Sequence, residues 1–386
     1  MSIAAADRLE PDADLLIAEA RRRFRLEEFG PLSFETPLRV LTMALREEAN
    51  LTDVAMQRHL GEIVGHLGST LKMQSFFAAH PEIEEQQITD PVIIVGLQRT
   101  GTSKLFRNIA ADPQWNVLYT WLGLNPIPPD GWRPGLLDPR LAEAEAWCEG
   151  RRWMAKAHGF YPREPEMEAL LMMQTFMLNH PEWLIPTHQF WLEGADFTDA
   201  YRYLRRQLQF LQWQTGAPQG KRWILKSPPH LLTLDYLVKA FPDARLVMTH
   251  RHPKFSVGSM FKLTEVCQEH AARSLDRDKI RDLWLRNLST AIGRFMDFRE
   301  RHGEDAFVDV AFHDFVGDPL PAVKQIYAYA GVPYTPVGEA AAAAWHRDNP
   351  RFSEGKLDYD LADFGCDEAE VETAFAPYIA KYSAYF

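Results

Sequence analysis

The chain has 386 residues, of which 46% are hydrophobic, and a formal net charge of −11 from 42 basic and 53 acidic side chains. This composition can bury one large core or two modest ones, which excludes a disordered or fibrous protein. The acidic balance argues against nucleic-acid binding, since a phosphate backbone is bound by clustered basic side chains.

The three cysteines are far apart and form no CxxC pair, so neither a disulfide framework nor a cysteine zinc site is predicted. No HExxH spacing occurs among the histidines, and no metal is expected. The N-terminal residues lack the basic flank and apolar core of a signal peptide. We expect a cytoplasmic protein without membrane insertion, and the composition leaves a homo-oligomer open.

The first predicted unit is a helical N-terminal region, residues 1–88. Between residues 11 and 80, apolar side chains recur at helical spacing, as at Leu16, Ala20 and Phe24. Charged residues lie between them, which is typical of helices with one buried face.

The next predicted unit, residues 89–335, is an α/β core with a central parallel sheet. Val92 to Val95 is a continuous β-branched run that ends at Gly96, as in a strand with both faces buried. Further strands are predicted at residues 222–225, 244–249 and 306–311. A helix at residues 230–240 separates the second strand from the third, which is the β-α-β order of parallel neighbours.

The remaining segments are predicted as helices and one long connection. Residues 125–139 are rich in Pro, Gly and Asp and indicate a surface loop. Helices are predicted at residues 141–178 with a break at 159–165, at residues 199–214, and after Pro319. Residues 336–386 are expected to form a C-terminal cap of helices and loops, within one domain that spans the whole chain.

The segment Gly96 to Lys104 follows a predicted strand and opens a predicted helix. Its backbone N–H groups and the positive helix end would converge where an anion can bind. Side chains in the segment add hydroxyl donors and full positive charges. The candidate ligands are Arg99, Thr100, Gly101, Thr102, Ser103 and Lys104.

Two other interpretations of this segment remain open. It is compatible with an ordinary strand-to-helix turn whose basic residues are solvated. It also has the glycine spacing of the nucleoside-triphosphatase pattern GxxxxGK[ST], but Thr102 stands where that pattern requires lysine. The missing lysine disfavours a nucleotide-dependent kinase, because the β- and γ-phosphates lose their main point charge.

A second anion-binding candidate follows the third predicted strand, where Arg251 is succeeded eight residues later by Ser259. Ligands of open α/β sheets bind at this edge, where the strands end. Taken alone, Arg251 is also compatible with a salt bridge at the strand end, and Ser259 with a helix hydroxyl bonded to its own backbone.

Together, the two segments resemble the donor-binding segments of sulfotransferases, and most closely the large bacterial sulfotransferase family, over roughly residues 90–335. The resemblance implies a P-loop-like three-layer α/β fold. It implies 3'-phosphoadenosine 5'-phosphosulfate as co-substrate, with the first loop around the 5'-phosphosulfate and Arg251 and Ser259 on the 3'-phosphate. It also implies that Arg99, at the position of the family's usual loop cation, contacts the 5'-phosphate and the sulfonate.

Sulfonate transfer requires positive charge near the sulfonate and a group that removes the acceptor proton. Lys226 is the second candidate cation, and His230 is a candidate base whose segment is similar to the family's Lys-Ser-Pro-x-His form. His230 could instead cap the following helix. Glu166 and Glu168 are alternative bases if burial raises the pKa of either, or simple acidic residues at a helix start.

Two further expectations concern the nucleotide and the acceptor. Lys356 is similar to the basic loop that some sulfotransferases close over the 3'-phosphate, and is otherwise a surface lysine. An apolar cluster near Glu166 either fills the core or lines an acceptor pocket: Met172, Met173, Phe176 and Met177. We expect a hydroxyl of a small, mainly apolar molecule as acceptor. A non-catalytic nucleotide-binding protein is the third hypothesis.

Overall fold

A computed structural model describes residues 8–129, 131–132, 136–350 and 353–386. The N-terminal region is helical, as predicted, with α1 at Ala13–Phe24, α2 at Glu35–Glu48 and α3 at Asp53–Ala79. The Asp12 carboxylate caps α1, and the Thr52 hydroxyl caps α3. The three helices enclose an apolar core of their own, to which the later residues Phe176 and Trp183 also contribute.

The central sheet has four parallel strands: β1 Val92–Gly96, β2 Ile224–Lys226, β3 Arg245–His250 and β4 Phe307–Ala311. They lie in the order β2-β1-β3-β4. All four strand predictions are confirmed to within two residues at each end. The pairing of Gly96 with Thr249 brings the carboxyl ends of β1 and β3 side by side.

Fifteen labelled α-helices follow β1 in the described chain: α4 Thr102–Ala110, α5 Thr120–Leu124, α6 Pro139–Glu149, α7 Ala155–His158, α8 Ala169–Met172, α9 Pro186–Gly194, α10 Thr198–Thr215, α11 Leu234–Ala240, α12 Pro253–Ala271, α13 Arg277–His302, α14 Phe312–Val316, α15 Leu320–Ala330, α16 Pro336–Asp348, α17 Glu368–Ala374 and α18 Ala376–Tyr382. The predicted helices at 199–214 and after Pro319 correspond to α10 and α15.

The sheet has a hydrophobic core on each face, which gives the predicted three-layer arrangement. On one face, Ile93 and Val95 of β1 pack in a cluster that includes residues of α10, α12 and α13. On the other face, Val92 and Ile94 pack with residues of α4 and α15. Alternate residues of one strand thus face different layers, so the continuous apolar run of β1 is explained.

Two helix predictions need correction. In residues 141–178 the predicted break at 159–165 is confirmed, and the backbone at its end pairs with another segment: Thr120 N donates to Glu164 O, and Glu166 N donates to Leu118 O. The helices on either side of the break are shorter than predicted. The helix predicted at 230–240 is only α11, preceded by a 3-10 turn at Pro228–Leu232. Two prolines at the start of that turn lack the N–H groups for an α-helical ladder.

The segment at residues 125–139, predicted as a surface loop, is partly internal. Ile127 is buried against Phe77 and Phe210, and Arg140 donates from Nη1 to Pro126 O at 2.9 Å. Residues 130 and 133–135 of this segment lie outside the described residues. Apolar burial of Ile127 draws this part of the connection inward despite its turn-rich composition.

Candidate active site

The loop between β1 and α4 begins and ends at positions where the backbone conformation and the lack of space for a Cβ require glycine. Gly96 has φ +152°, and a Cβ there would lie 2.2 Å from Thr249 Oγ1. Gly101 has φ +82°, and a Cβ there would lie 2.9 Å from the rings of Phe312 and Phe315. Arg99 also has a positive φ, of 72°, which costs an arginine backbone energy and sets the direction of its side chain.

The polar side chains of the loop have different partners. The Thr100 hydroxyl donates to Leu97 O at 2.7 Å and so helps to shape the loop itself. Ser103 Oγ accepts a hydrogen bond from Lys226 Nζ at 3.2 Å. Lys104 Nζ donates to Val316 O at 2.9 Å, toward α14. Thr102 is buried at the first position of α4.

Arg99, Arg251 and Ser259 come together where β1 and β3 end. Arg99 Nε donates to Ser259 Oγ at 3.0 Å, and Arg251 Nη1 donates to the carbonyl oxygen of Arg99 at 2.8 Å. The Arg251 guanidinium also lies over the ring of Phe312, 4.5 Å from its centroid. Burial and the charge of Arg251 lower the pKa of Arg99 to about 10. Two neighbouring guanidinium groups are a favourable place for a multiply charged anion.

Lys226, at the end of β2, belongs to a buried charge cluster. Its Nζ lies 3.4 Å from Glu166 Oε1, and the other oxygen of Glu166 accepts from Arg107 Nη2 at 2.9 Å. Burial lowers the pKa of Lys226, and the negative charge of Glu166 offsets only part of this effect. Burial alone would raise the pKa of Glu166, but Lys226, His158 and Arg107 hold it well below its usual value. Glu166 therefore remains ionised near neutral pH, opposite to the raised pKa that a carboxylate base requires.

A second buried cluster contains Glu168, His230, Tyr201 and Thr233, which we call the His230 chain. Glu168 Oε2 accepts from the backbone N–H of Lys226 at 2.9 Å, and Oε1 lies 2.7 Å from His230 Nε2. His230 Nδ1 lies 2.6 Å from the Tyr201 hydroxyl, which is 2.6 Å from Thr233 Oγ1. His230 is 1% exposed and Glu168 is fully buried.

The His230 chain borders a cavity of about 50 Å³, the Tyr201 cavity. Gln98, in the loop between β1 and α4, also lines it, together with Tyr201, His230 and Thr233. Most of the remaining lining is apolar: Met172, Met177, Leu178, Leu192, Phe197 and Trp284. A mainly apolar lining with a few polar groups on one side is the chemistry found in sites for small apolar ligands.

The apolar cluster predicted near the carboxylates is divided between two cavities. Met172 and Met177 line the Tyr201 cavity, whereas Met173 and Phe176 line a smaller one of about 10 Å³ against the N-terminal helices. Leu178 borders both. Two of the four predicted lining residues thus lie in the cavity beside the His230 chain, and the other two lie in a different cavity.

Lys356 differs from these buried groups because it lies on the surface. Its side chain is 67% exposed and forms a surface ion pair with Asp358, with 3.0 Å between Nζ and Oδ1. Phe352, the first residue of the segment that suggested Lys356, lies outside the described residues. The neighbouring Tyr359 packs against the start of α12, where its hydroxyl donates to Phe255 O at 3.1 Å.

Several residues of the site carry no sequence signal. Tyr201 falls in an amphipathic helix whose buried side chains all resemble core residues, and Thr233 lies within the helix predicted at 230–240. Arg107, on α4, differs in no local feature from a solvated arginine. Only their neighbours in space, which come from distant parts of the chain, distinguish them.

Among the described residues, no group of three or more His, Cys, Asp or Glu side chains is arranged to hold a metal ion. Within the same part of the chain, none of the helices has the length and apolar character needed to cross a bilayer.

Comparison with known proteins points to one family. A family model described as "Sulfotransferase family" matches residues 91–336. The sulfotransferase STF1 from Mycobacterium tuberculosis H37Rv has 29% identity and a TM-score of 0.81, over 94% of this chain and 98% of its own. The sulfotransferase STF9 from Mycobacterium avium has 27% identity and a TM-score of 0.85, over 97% of both chains. No curated protein matched the sequence.

Proposed function

The chain belongs to the sulfotransferase family, and on that premise we propose that it transfers the sulfonate group of 3'-phosphoadenosine 5'-phosphosulfate to a hydroxyl of a small, mainly apolar molecule. The observation that carries the donor assignment is the meeting of Arg99, Arg251 and Ser259 beside a glycine-bounded loop. A nucleotide with phosphates on both the 5' and 3' positions matches two adjacent anion sites.

In this proposal the loop N–H groups and the start of α4 bind the 5'-phosphosulfate. Arg251 and Ser259 bind the 3'-phosphate. The Arg99 backbone lies in the first site, but its guanidinium is directed to Ser259, so we assign that side chain to the 3'-phosphate edge as well. Lys226, 3.2 Å from Ser103 Oγ, is then the cation that stabilises charge on the transferring sulfonate.

We assign Glu166 a positioning role and His230 the role of final proton acceptor. Glu166 holds Lys226 and Arg107, and its lowered pKa is unsuited to proton removal. Glu168 accepts from the Lys226 backbone and orients the His230 ring, as the carboxylate of a catalytic dyad does.

The Tyr201 cavity is the proposed acceptor site. It extends from Gln98 of the phosphate loop to an apolar wall that contains Met177 and Trp284. This lining suits a phenol or an apolar alcohol better than a charged glycan, because few of its groups could replace the hydration of a charge. A screen with labelled donor should yield labelled products from apolar phenols and none from sulfated or acidic sugars.

Calorimetric titration tests the donor assignment and the kinase alternative together. Adenosine 3',5'-bisphosphate should bind more tightly than adenosine 5'-monophosphate and more tightly than ATP with Mg²⁺. The kinase alternative requires the reverse order, in spite of Thr102 at the lysine position. Tighter binding of ATP with Mg²⁺ would therefore overturn the proposal.

A further inference from the structure

We propose that Tyr201 is a catalytic residue, which takes the acceptor's proton and passes its own proton to His230. This inference rests on the proposed function and identifies the atom that faces the acceptor. It starts from an observation about His230: neither ring nitrogen is available to a substrate, because Glu168 occupies Nε2 and Tyr201 occupies Nδ1.

With Glu168 ionised and His230 neutral, the hydrogen-bond partners set the direction of each bond in the His230 chain. The Glu168 carboxylate accepts from the Lys226 backbone N–H through Oε2 and from His230 Nε2–H through Oε1. His230 Nδ1 is then the unprotonated nitrogen, so the Tyr201 hydroxyl must donate to it. Thr233 in turn donates to the Tyr201 oxygen.

Tyr201 is the member of the chain whose oxygen we place against the acceptor. Its side chain lines the Tyr201 cavity with Thr233 and His230, close to Gln98 of the phosphate loop. A phenolic oxygen keeps one more lone pair after it accepts from Thr233, and that lone pair can accept from an acceptor hydroxyl. Burial raises the pKa of Tyr201, which keeps the phenol protonated and able to donate to His230.

The reaction step balances as follows. The acceptor oxygen forms a bond to sulfur while its proton moves to the Tyr201 oxygen. The Tyr201 proton moves to His230 Nδ1, and the imidazolium is balanced by the Glu168 carboxylate. The bond between sulfur and the bridging oxygen breaks, and its electron pair leaves with the 5'-phosphate of adenosine 3',5'-bisphosphate. Tyr201 ends the step as a neutral phenol.

The test compares Tyr201→Phe with a matched control on the same helix, Tyr203→Phe. Tyr203 is also buried, its hydroxyl donates to Gln174 Oε1 at 3.1 Å, and it does not line the Tyr201 cavity. Both variants keep the ring and remove one oxygen. Consumption of labelled donor is measured with 2-naphthol as the probe acceptor and with water alone.

Tyr201→Phe should lower kcat by about 100-fold or more and leave KM for the donor within about twofold, because only a proton-transfer group is lost. Tyr203→Phe should keep kcat within about twofold of the wild type. In mixtures of H₂O and D₂O, a plot of the wild-type rate against the deuterium fraction should be curved, because two protons move in the same step. A purely structural role for Tyr201 would not produce that curvature.

Three outcomes overturn the inference. If His230 took the proton directly, loss of the Tyr201 hydroxyl would open Nδ1, and Tyr201→Phe would be as fast as the wild type or faster. Nitrogen NMR that finds the proton of neutral His230 on Nδ1 would reverse the direction of the chain, whether or not the probes react. A wild-type protein that binds no adenosine 3',5'-bisphosphate and consumes no donor would remove the proposed function itself, a result distinguishable from the other two.

Discussion

Lys226 and Glu166 form an ion pair almost entirely removed from solvent, with 3.4 Å between Nζ and Oε1 and 2% and 1% of the two side chains exposed. Arg107 shares the same carboxylate. Removing each charge from water is unfavourable, and only its attraction to the other buried charges compensates for this. Lys226 therefore contributes to the stability of the protein and is also the cation that we assign to the sulfonate.

Glu166→Gln should destabilise the protein by about 3 kcal/mol or more, because Lys226 and Arg107 lose their buried counter-charge. Urea unfolding at neutral pH measures the loss. The control is Glu339→Gln, which breaks an exposed pair with Lys324 and should cost at most about 1 kcal/mol. Equal losses in the two variants would contradict the buried pairing.

Arg251→Ala should weaken adenosine 3',5'-bisphosphate by about 10- to 100-fold, the worth of a charged hydrogen bond. It should weaken adenosine 5'-monophosphate much less, since that nucleotide lacks the 3'-phosphate. Calorimetry with both ligands measures the difference. Arg286→Ala, which removes an exposed arginine paired with Glu193, should leave both affinities unchanged. An equal loss for both nucleotides in Arg251→Ala would remove the 3'-phosphate assignment.

Gly96→Ala should both destabilise the protein and abolish tight bisphosphate binding, because the new Cβ would lie 2.2 Å from Thr249 Oγ1. Gly216→Ala is the matched control: Gly216 also has a positive φ, of +64°, but nothing lies within 4 Å of its Cβ position. We expect the control to lose only about 1 kcal/mol and to bind normally. Thermal unfolding and calorimetry of the two variants separate steric conflict from backbone strain.

Glu182, between the N-terminal helices and the core, should make stability depend on acid pH. It is 3% exposed, accepts from His59 Nε2 at 2.9 Å and also pairs with Arg58. Burial would raise its pKa, but the hydrogen bond from His59 and the charges of His180 and Arg58 lower it to about 2. A carboxyl with a lowered pKa contributes stability above its unfolded pKa of 4.5 and loses it as pH falls toward 2.

The variant Glu182→Gln isolates this contribution. At neutral pH it should be less stable than the wild type by about 3 kcal/mol, and the difference should shrink steadily as the pH falls to about 3. Urea unfolding of both proteins across this range measures the trend. A difference that stays constant with pH would mean that Glu182 is not the titrating group.

Local patterns in the sequence predicted much of the fold. A β-branched run such as Val92 to Val95 is enough to predict a buried strand, because a strand covered on both faces of the sheet has apolar side chains on both. The glycines at 96 and 101 mark the loop for the same local reason, their backbone conformation. The predicted break at 159–165 contains the pairing of Glu164 with Thr120, but the short length of the helical pieces on either side could not be predicted from the spacing of apolar residues.

The sequence by itself determined the strands, the glycine-bounded loop after β1 and the position of Arg251 at the end of β3, since each depends on residues close together in the chain. Only the tertiary structure decided which side chains meet. Arg99 contacts Ser259 across 160 positions, His230 contacts Glu168 across 62, and Tyr201 contacts His230 across 29. Such contacts follow from how the sheet and helices pack, so the environment that holds Glu166 ionised and encloses His230 exists only in the folded chain.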